Sequence, residues 1–523
     1  MTTYAASNDA TKEKRPNIIF FFSDDQCYNS QKNFGNNQTK TPSLDKLASK
    51  GVVFKRHYNT TAICMASRAN VMSGLYEYKS GCNFDHGNLA TKLWTTSYPM
   101  LLKQNGYTVG FAGKFGFTVS DAEEMEVHRE GEHVKGDFDF WAGGPKQTSY
   151  KTAENVSIAH YADKYPHSTR AYGAATIDFM KSAVKKDNPF CMSVFFKAPH
   201  KPSLPDPFFD DVYKDTRFDK LPNYGREAGE HLCQQSRMGR QYKKFTAWGY
   251  QDDEHYQQSL RVYHQLIYGV DYAIGMIMDE LKNLEIDDNT IIIFSSDNGY
   301  FCGSHGLGGK VLPYEEGARV PLIVYDPRHP KSTHTRETTS ITGNVDITAT
   351  ILDFAQVKIP SHYDGKSLLP IIDDHSTQVH KNIPITQAWG EVAAQSFSVV
   401  EQQYKYVYWF YKNEKMGIEP AEELFDIKGD PFEMKNIAND PAYKEVLANM
   451  RGLYDQQLQH WKNECVKNHG YPKYGVLYDR KLDWAQKEAY ITAMTESKDD
   501  KKSTKKASKK ASKEKKAANK GKK

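Results

Sequence analysis

Long apolar runs are missing from this chain of 523 residues. No stretch approaches the roughly 18 consecutive apolar residues that a membrane-spanning helix requires, so we expect no such helix. The N-terminus from Met1 to Arg15 also lacks the apolar segment of a signal peptide, which predicts a cytoplasmic protein or a leader absent from this sequence. Wholesale disorder is excluded, because aromatic residues make up 13% of the chain.

Cysteine is scarce, with seven residues in the chain. No pair has the C-x-x-C spacing and no Cys/His cluster has the spacing of zinc ligands, so a structural zinc site is not expected. The odd number leaves at least one thiol outside any disulfide, and we expect mainly free, buried thiols. The cysteines are Cys27, Cys64, Cys82, Cys191, Cys233, Cys302 and Cys465.

Acidic residues are rare in the last segment of the chain. Residues 498–523 contain 13 lysines but only Asp499, Asp500 and Glu514 as acidic residues, and no large apolar side chain. Such a segment is expected to be disordered. It would be either a solvated tail or a weak electrostatic tether to an anionic polymer, such as a sulfated polysaccharide or nucleic acid. We predict no specific nucleic-acid partner.

Strand and helix patterns alternate through the first three quarters of the sequence. The apolar run Ile18–Phe22 predicts a buried strand, and the long pattern from Tyr256 to Leu284 predicts a helix before a strand at Thr290–Phe294. Such alternation is typical of an α/β fold with parallel strands and helices on both faces. Further along, the Val-, Tyr- and Phe-rich segment Phe397–Tyr411 favours antiparallel strands, followed by a helix at Tyr443–Trp461.

The predicted organisation is a large α/β domain followed by a smaller α+β domain. The α/β fold class has a large mixed, mostly parallel sheet that is sandwiched by helices. The predicted boundaries are a flexible N-terminus at 1–15, the α/β domain at 16–380, the C-terminal α+β domain at 381–497 and the disordered tail at 498–523. Residues 201–253 are polar and weakly periodic, which is typical of a substrate-binding insert or of a plain surface excursion.

Acidic residues follow two of the predicted strands. Asp24 and Asp25 come after the first strand, and Asp297 and Asn298 come after the strand at Thr290–Phe294. In a doubly wound sheet the ligand crevice lies beyond the carboxyl ends of the strands, so these side chains are expected to converge. Their oxygen atoms suit calcium or magnesium rather than zinc, although Asp-Asn-Gly is also a common turn sequence.

A cysteine stands where a helix is predicted to begin. It opens the segment Cys64–Gly74, with Ser67 and Arg68 one turn further on. A helix N-terminus lowers the pKa of a thiol and favours anions, which predicts a reactive nucleophile at Cys64. The alternative is a small, buried apolar residue.

The segment Cys64–Gly74 resembles the signature of type I sulfatases, which is Cys-x-Pro/Ala-Ser-Arg followed by a glycine six residues after the arginine. In that family the cysteine is oxidised to formylglycine, whose hydrated aldehyde is the nucleophile. The resemblance continues in the same order over nearly the whole body of the chain, and it implies an alkaline phosphatase-like fold. The other matching segments are Asp24–Gln26, Gly106–Lys114, Ala198–Pro202, Asp297–Gly299, Gly303–Lys310, Tyr314–Pro321, Asp364–Pro370, Glu423–Asp426 and Asp430–Pro431.

The resemblance implies one calcium ion at the site. Asp24, Asp25, Asp297 and Asn298 would bind it, together with the formylglycine derived from Cys64. Asp297 would also accept the proton of the nucleophile. A divalent ion at this position would polarise the nucleophile and neutralise charge on the sulfate.

The resemblance also implies five further site residues. Lys114 and Lys310 would bind the sulfate oxygens, and Arg68 would hold the formylglycine. His200 would donate a proton to the leaving alcohol, a role that a near-neutral pKa allows. His305 is expected to face the sulfate or the sugar.

Three positions depart from the family pattern. Gly116 stands where the family usually has a histidine that helps to expel sulfate, so another base, such as His305, would have to act or turnover would be slow. Val109 replaces the usual Ser or Thr. Ala66 replaces proline in the signature, which still fits the modification motif but could suit a different maturation enzyme.

The expected activity is the hydrolysis of O-sulfate esters of a sulfated carbohydrate or polysaccharide. Aromatic residues and the arginines of the 201–253 segment suit a sugar-sized, anionic substrate. Those arginines are Arg217, Arg226, Arg237 and Arg240. The alternatives are a phosphoester or phosphonate ester hydrolase with the same nucleophile, and an inactive protein that binds sulfated glycans. The resemblance further implies a formylglycine-generating maturation enzyme as a partner and a periplasmic or secreted location.

Overall fold

The structure is a computed structural model that describes residues 14–122, 125 and 129–494. The Lys-rich tail predicted at 498–523 and nearly all of the N-terminus predicted at 1–15 lie outside the described residues. Within the described part of the chain, every helix is too short or too polar to span a bilayer.

Strands and helices alternate along most of the described chain. The strands are β1 (Asn17–Asp24), β2 (Val52–Phe54), β3 (His57–Tyr58), β4 (Thr108–Lys114), β5 (Phe140–Gly144), β6 (Phe190–Pro199), β7 (Thr290–Ser296), β8 (Phe301–Cys302), β9 (Gly308–Gly309), β10 (Arg319–Val320), β11 (Leu322–Tyr325), β12 (Arg336–Thr338), β13 (Thr342–Gly343), β14 (Asn382–Gln387), β15 (Ser396–Glu401), β16 (Tyr404–Trp409) and β17 (Ala421–Asp426). The α-helices are α1 (Pro42–Ala48), α2 (Cys64–Ser73), α3 (Glu77–Ser80), α4 (Thr91–Trp94), α5 (Tyr98–Gln104), α6 (Ser168–Ala183), α7 (Gln234–Met238), α8 (Arg240–Ala247), α9 (Asp253–Asn283), α10 (Glu315–Ala318), α11 (Asn344–Phe354), α12 (Leu369–Asp373), α13 (Lys444–Glu464) and α14 (Tyr474–Leu477).

The central sheet has eight strands in the order β12-β2-β11-β7-β1-β6-β4-β5. Strands β7, β1, β6, β4 and β5 are parallel, whereas β11 is antiparallel to both of its neighbours. The mixed, mostly parallel sheet is therefore confirmed. The apolar run Val320–Tyr325 forms two strands that are divided at Pro321, which has no N–H to donate. The part before it, β10, pairs with β3, and the part after it, β11, joins the central sheet.

Alternate side chains of β1 enter two separate hydrophobic cores. Ile18, Phe20 and Phe22 pack on the face that α2, α5 and α11 cover, whereas Ile19 and Phe21 pack on the face that α6 and α9 cover. All five are fully buried, as is typical of a strand inside a parallel sheet. Burying each such side chain contributes roughly 1.5–3 kcal/mol, so the strand that ends at the predicted metal ligands is firmly held.

The C-terminal region contains an antiparallel sheet and one long helix, as predicted. Strands β14, β15, β16 and β17 pair in chain order. One face of the sheet, which includes Phe397 and Tyr406, packs against α13. The opposite face, which includes Val400 and Trp409, packs against residues of the larger α/β part such as Tyr58. The sheet therefore shares a core with the part of the chain that carries the candidate site.

Segment 201–253 contains the short helices α7 and α8 joined by turns. It builds a small aromatic cluster in which Phe218, Phe245 and Tyr250 pack with Tyr256 of α9. The segment ends at a helix cap, because the Asp252 side chain accepts a hydrogen bond from a backbone N–H in the first turn of α9. The cap explains why α9 begins three residues before the apolar pattern that predicts it.

Candidate active site

The carboxyl ends of four neighbouring strands bring polar side chains together. Asp24 ends β1, Lys114 ends β4, Asp297 follows β7 and His200 follows β6. These strands are parallel and lie side by side in the order β7-β1-β6-β4. Their ends therefore surround one crevice, as expected for a doubly wound sheet.

Asp24 lies among several cationic side chains. Lys114 Nζ donates a hydrogen bond to Asp24 Oδ2 at 2.5 Å, and Arg68 Nη2 lies 3.3 Å from the same oxygen. Lys310 Nζ lies 3.7 Å from Asp24 Oδ1. Burial alone would raise the pKa of Asp24, but Lys114 and the other cations outweigh burial and hold this pKa well below its usual value. The carboxylate is therefore ionised at neutral pH.

Asp25, Asp297 and Asn298 are linked by hydrogen bonds. The Asp25 N–H donates to Asp297 Oδ1 at 3.1 Å, and Asn298 Nδ2 donates to Asp25 Oδ1 at 2.7 Å. Lys310 Nζ donates to the same Asp25 oxygen at 2.5 Å. Burial and the neighbouring Asp24 raise the pKa of Asp297 to about 7. This part of the cluster therefore favours additional positive charge.

Two oxygens of this cluster accept no hydrogen bond, although they are buried. They are Asp24 Oδ1 and Asn298 Oδ1. Buried polar atoms in folded proteins normally have a partner, and carboxylate and amide oxygens are the ligands that Ca²⁺ and Mg²⁺ prefer. Asp24, Asp25 and His200 also place one potential ligand atom each within 4.8 Å of one another. The donor set therefore fits a hard divalent cation.

Arg68 is fully buried beside these carboxylates. Its Nε donates to Asp297 Oδ2 at 2.8 Å and its Nη1 donates to the carbonyl oxygen of Lys114 at 2.6 Å. The guanidinium carbon lies 5.7 Å from the ring centre of Phe22 and 5.5 Å from that of Phe195. Burial lowers the pKa of Arg68, but Asp297 and its neighbours outweigh burial and raise it. Arg68 thus remains charged. Its contacts connect Asp24 at the end of β1, Lys114 at the end of β4 and Asp297 after β7.

Cys64 is the first residue of α2 and is almost completely buried. It packs against Val311, the residue after Lys310. Val311 has a φ of +97°, which is rare for a β-branched residue and typical of a strained functional site. Burial lowers the pKa of Lys310, but Asp25, Cys64 and Asp24 outweigh burial and raise it. Cys64 therefore lies within electrostatic range of the cation that contacts the acidic cluster.

His200 lies beside Asp25, with 3.8 Å between His200 Nε2 and Asp25 Oδ2. Its Nδ1 is buried without a hydrogen-bond partner. Burial lowers the pKa of His200 to about 4, and Asp25 offsets only part of this effect. The pKa of His200 in the free site therefore lies below the near-neutral value expected from the sequence. An anionic ester beside the ring would favour the protonated form.

His305 does not face this cluster, which corrects the expectation that it contacts the sulfate or the sugar. Its Nε2 accepts a hydrogen bond from Asn223 Nδ2 at 3.1 Å, and its Nδ1 lies 3.2 Å from the carbonyl oxygen of Ala228. The ring packs against those of His231 and Tyr314. Burial lowers the pKa of His305 to about 3. Both ring nitrogens are occupied, so His305 is not placed to replace the missing family histidine.

Gly116 has a conformation and surroundings that exclude a side chain. Its φ is +86°, a region that L-residues rarely adopt. A Cβ atom at this position would lie 2.6 Å from Cδ of Arg68. The histidine that is usual in the family therefore does not fit here unless Arg68 moves.

A cavity of about 660 Å³ opens beside the cluster. It is bounded by residues of the acidic cluster, of segment 201–253 and of α9. The lining residues are Asp25, His200, Lys201, Pro202, Ser203, Lys244, Trp248, Gln258, Ser259, Val262, Tyr300, Gly309 and Lys310. The predicted insert therefore contributes side chains to the wall of the candidate site.

The arginines of segment 201–253 do not line this cavity, contrary to the expectation that they serve an anionic substrate. Arg226 stacks on Tyr242, with 3.3 Å from the guanidinium carbon to the ring centre, and donates to the carbonyl oxygen of Gly306 at 2.6 Å. Arg240 pairs with Glu391 at 3.3 Å. Similar contacts occupy the other two: Arg217 pairs with Asp253, and Arg237 donates to the carbonyl oxygen of Leu232.

The charged and aromatic side chains that segment 201–253 contributes to the cavity are lysines and a tryptophan, not arginines. Lys201, Lys244 and Trp248 all line the cavity. Two sequence signals could have identified them. Lys201 directly follows His200, and Lys244 and Trp248 are four residues apart, a spacing that places both on one helix face.

Comparison with known families gives two overlapping matches. The Sulfatase family model matches residues 16–357. A second model, N-sulphoglucosamine sulphohydrolase, C-terminal, matches residues 303–462. Together they span both the α/β part and most of the C-terminal region.

Individual proteins resemble the chain over most of its length. An N-acetylglucosamine-6-O-sulfatase of Bacteroides thetaiotaomicron is 27% identical, over 88% of this chain and 89% of its own. A solved structure in complex with its substrate D-glucosamine-2-N,6-O-disulfate is 24% identical, with a TM-score of 0.70 over 87% of this chain and all of its own. A phosphonate monoester hydrolase of Agrobacterium radiobacter is 22% identical, with a TM-score of 0.61 over 86% of this chain and 96% of its own. The two solved structures share the fold.

Proposed function

The chain belongs to the sulfatase family, the sulfuric ester hydrolases of the alkaline phosphatase-like superfamily, and we propose that its substrate is an O-sulfate ester of a sulfated carbohydrate. One observation carries this proposal: Lys310, which contacts Asp25 and lies within electrostatic range of Cys64, lines a cavity that is large enough for a sugar unit. The similarity to an N-acetylglucosamine-6-O-sulfatase supports the choice of a sugar ester.

We propose that Asp24, Asp25, Asp297 and Asn298 bind a calcium ion and that Cys64 is converted to formylglycine. The bound ion would supply the positive charge that polarises the nucleophile and neutralises the sulfate. The two buried oxygens that accept no hydrogen bond, on Asp24 and Asn298, support the ion site. Conversion of the thiol requires a maturation enzyme as a transient partner. A periplasmic or secreted location, in contact with sulfated polymers, completes this proposal.

The remaining side chains bind and orient the ester. Lys114 and Lys310, which contact carboxylates in the free site, would donate hydrogen bonds to the sulfate oxygens. Arg68 acts as a positioning residue, because it holds Asp297 against the carboxyl end of β4. His200 borders the cavity. Once an anionic ester raises its pKa, the ring would donate a proton to the leaving alcohol.

Sulfate release from matched esters tests the activity. Protein produced together with a maturation enzyme is expected to hydrolyse sulfated hexosamines at least about 100-fold faster than the corresponding phosphate monoesters, since a sulfate ester carries one negative charge and a phosphate monoester carries nearly two. Ion chromatography of released sulfate and phosphate measures both rates. Faster phosphate or phosphonate release would favour the hydrolase alternative. Tight glycan retention without any release would favour an inactive binding protein.

Calcium removal tests the ion site without relying on turnover. Adding Ca²⁺ to chelator-treated protein at about 100 times its Kd is expected to stabilise the fold by about 2.7 kcal/mol, because only the folded chain assembles the ligands. Thermal unfolding measures this shift, and Asn298→Ala should reduce it strongly. The matched control is Asn289→Ala in the turn before β7. A shift of equal size in both variants would contradict the assignment.

A further inference from the structure

Two lysines of the cavity, Lys201 and Lys244, form no ion pair within the described part of the chain, although Asp25 and Glu391 lie within electrostatic range of Lys244. We propose that they form a second anion subsite, which binds a further sulfate or a carboxylate of the same sugar substrate. This inference rests on the proposed function, since the first anion is the sulfate that is cleaved. The substrate class is therefore a sugar unit with two anionic groups.

The two ammonium groups lie against the same indole. Lys201 Nζ is 4.7 Å and Lys244 Nζ is 4.6 Å from the ring centre of Trp248. Lys310, in contrast, is held by Asp25 at 2.5 Å. The attraction of a cation to an aromatic ring is weak compared with an ion pair, so both amines remain available for an anion.

Both lysines are partly removed from water. Burial lowers the pKa of Lys244 to about 8, and it also lowers the pKa of Lys201. Asp25 and Glu391 offset only part of this effect at Lys244, and holding a partly desolvated cation without a direct ion pair is unfavourable. An anionic group of the ligand would reduce this cost by forming that ion pair.

The second subsite is close to the first. Lys201 directly follows His200 in the chain, and both line the cavity. A Cβ atom on Gly309 would lie 2.9 Å from Lys244 Nζ, so this amine is next to the backbone that carries Lys310. One cavity of about 660 Å³ holds both subsites. The two anionic groups can therefore belong to one sugar unit or to two that are directly linked.

An aromatic pair also lines this cavity. The rings of Trp248 and Tyr300 are nearly parallel, with 6.0 Å between their centres and 7° between their planes. Both residues line the cavity. Such a pair offers an apolar surface for a sugar ring, and the lysines at Trp248 then select rings that carry charge. The cavity thus combines ring binding with recognition of a second anion.

Matched substrates test the subsite. N-acetylglucosamine 6-sulfate and N-sulfoglucosamine 6-sulfate share the ester but differ by a second sulfate, and a 6-sulfated hexosamine linked to a uronate supplies a carboxylate. The wild-type protein is expected to favour one or both doubly charged substrates by at least about tenfold in kcat/KM. Lys244→Met and Lys201→Met should each reduce this preference about tenfold, since a charge-assisted hydrogen bond is lost. Lys243→Met, which removes an exposed charge from α8, is the matched control.

Three results would overturn the proposal. They are equal wild-type rates on all three esters, equal losses on singly and doubly charged esters in the lysine variants, and an equal effect in the Lys243→Met control. Calorimetric binding to the Cys64→Ala protein provides a readout that does not need turnover. If no ester is hydrolysed, the proposed function fails, but a preference for doubly charged sugars that disappears in Lys244→Met still supports the subsite. Equal affinities for all the sugars would refute it.

Discussion

Replacement of Cys64 by alanine is expected to lower kcat for sulfate release by about 10⁴-fold or more, because it removes the atom from which the nucleophile is made. Cys64 begins α2 and packs beside Val311, next to the cation that contacts Asp25. In the described part of the chain, no other cysteine is the first residue of an α-helix. The effect should appear in kcat rather than in the free energy of unfolding.

A control substitution separates the loss of the nucleophile from the loss of packing in the core. Cys465 is also buried, but it belongs to the core of the C-terminal sheet. Cys465→Ala is expected to retain most of the activity while losing a similar amount of packing. Peptide mass spectra of the wild-type protein report whether residue 64 is modified. Full activity of Cys64→Ala, or fully active protein with an unmodified thiol, would refute the mechanism.

Arg68→Met is expected to lower the free energy of unfolding by about 3–5 kcal/mol, since removing one partner leaves buried carboxylates without their counter-charge. Arg68 is fully buried and its Nε donates to Asp297 at 2.8 Å. Denaturation in urea measures the change. Arg217→Met is the control, because Arg217 and Asp253 form an exposed pair whose loss should cost at most about 1 kcal/mol. Equal losses in the two variants would argue against the role given to Arg68.

Much of the fold follows from local patterns. The buried run Ile18–Phe22 and the long helical pattern before Thr290 correspond to β1 and α9. Strand order and direction do not follow, because apolar periodicity describes a strand's faces and not its neighbours. The antiparallel β11 therefore could not be predicted, whereas the break at Pro321 could have been inferred from its missing donor.

The site follows from the sequence only where backbone position determines side-chain position. Asp24 and Asp297 could be placed together because the ends of parallel strands meet at one edge. His305 could not be placed, since a φ of +53° and contacts with Asn223 direct its ring into the interior. The pairing of Arg240 with Glu391 could not be predicted either, because the two residues lie 151 positions apart in the chain.

The anchoring of β1 limits where substitutions in this enzyme can accumulate without disturbing the active site. Asp24 terminates a strand whose side chains are shared by both helical layers. An enlarged side chain in either layer would therefore displace the same carboxylate. Lys244 and Trp248 belong to a segment with its own aromatic cluster, outside those layers. Substrate choice can thus diversify through that segment while the chemistry stays fixed by the interior.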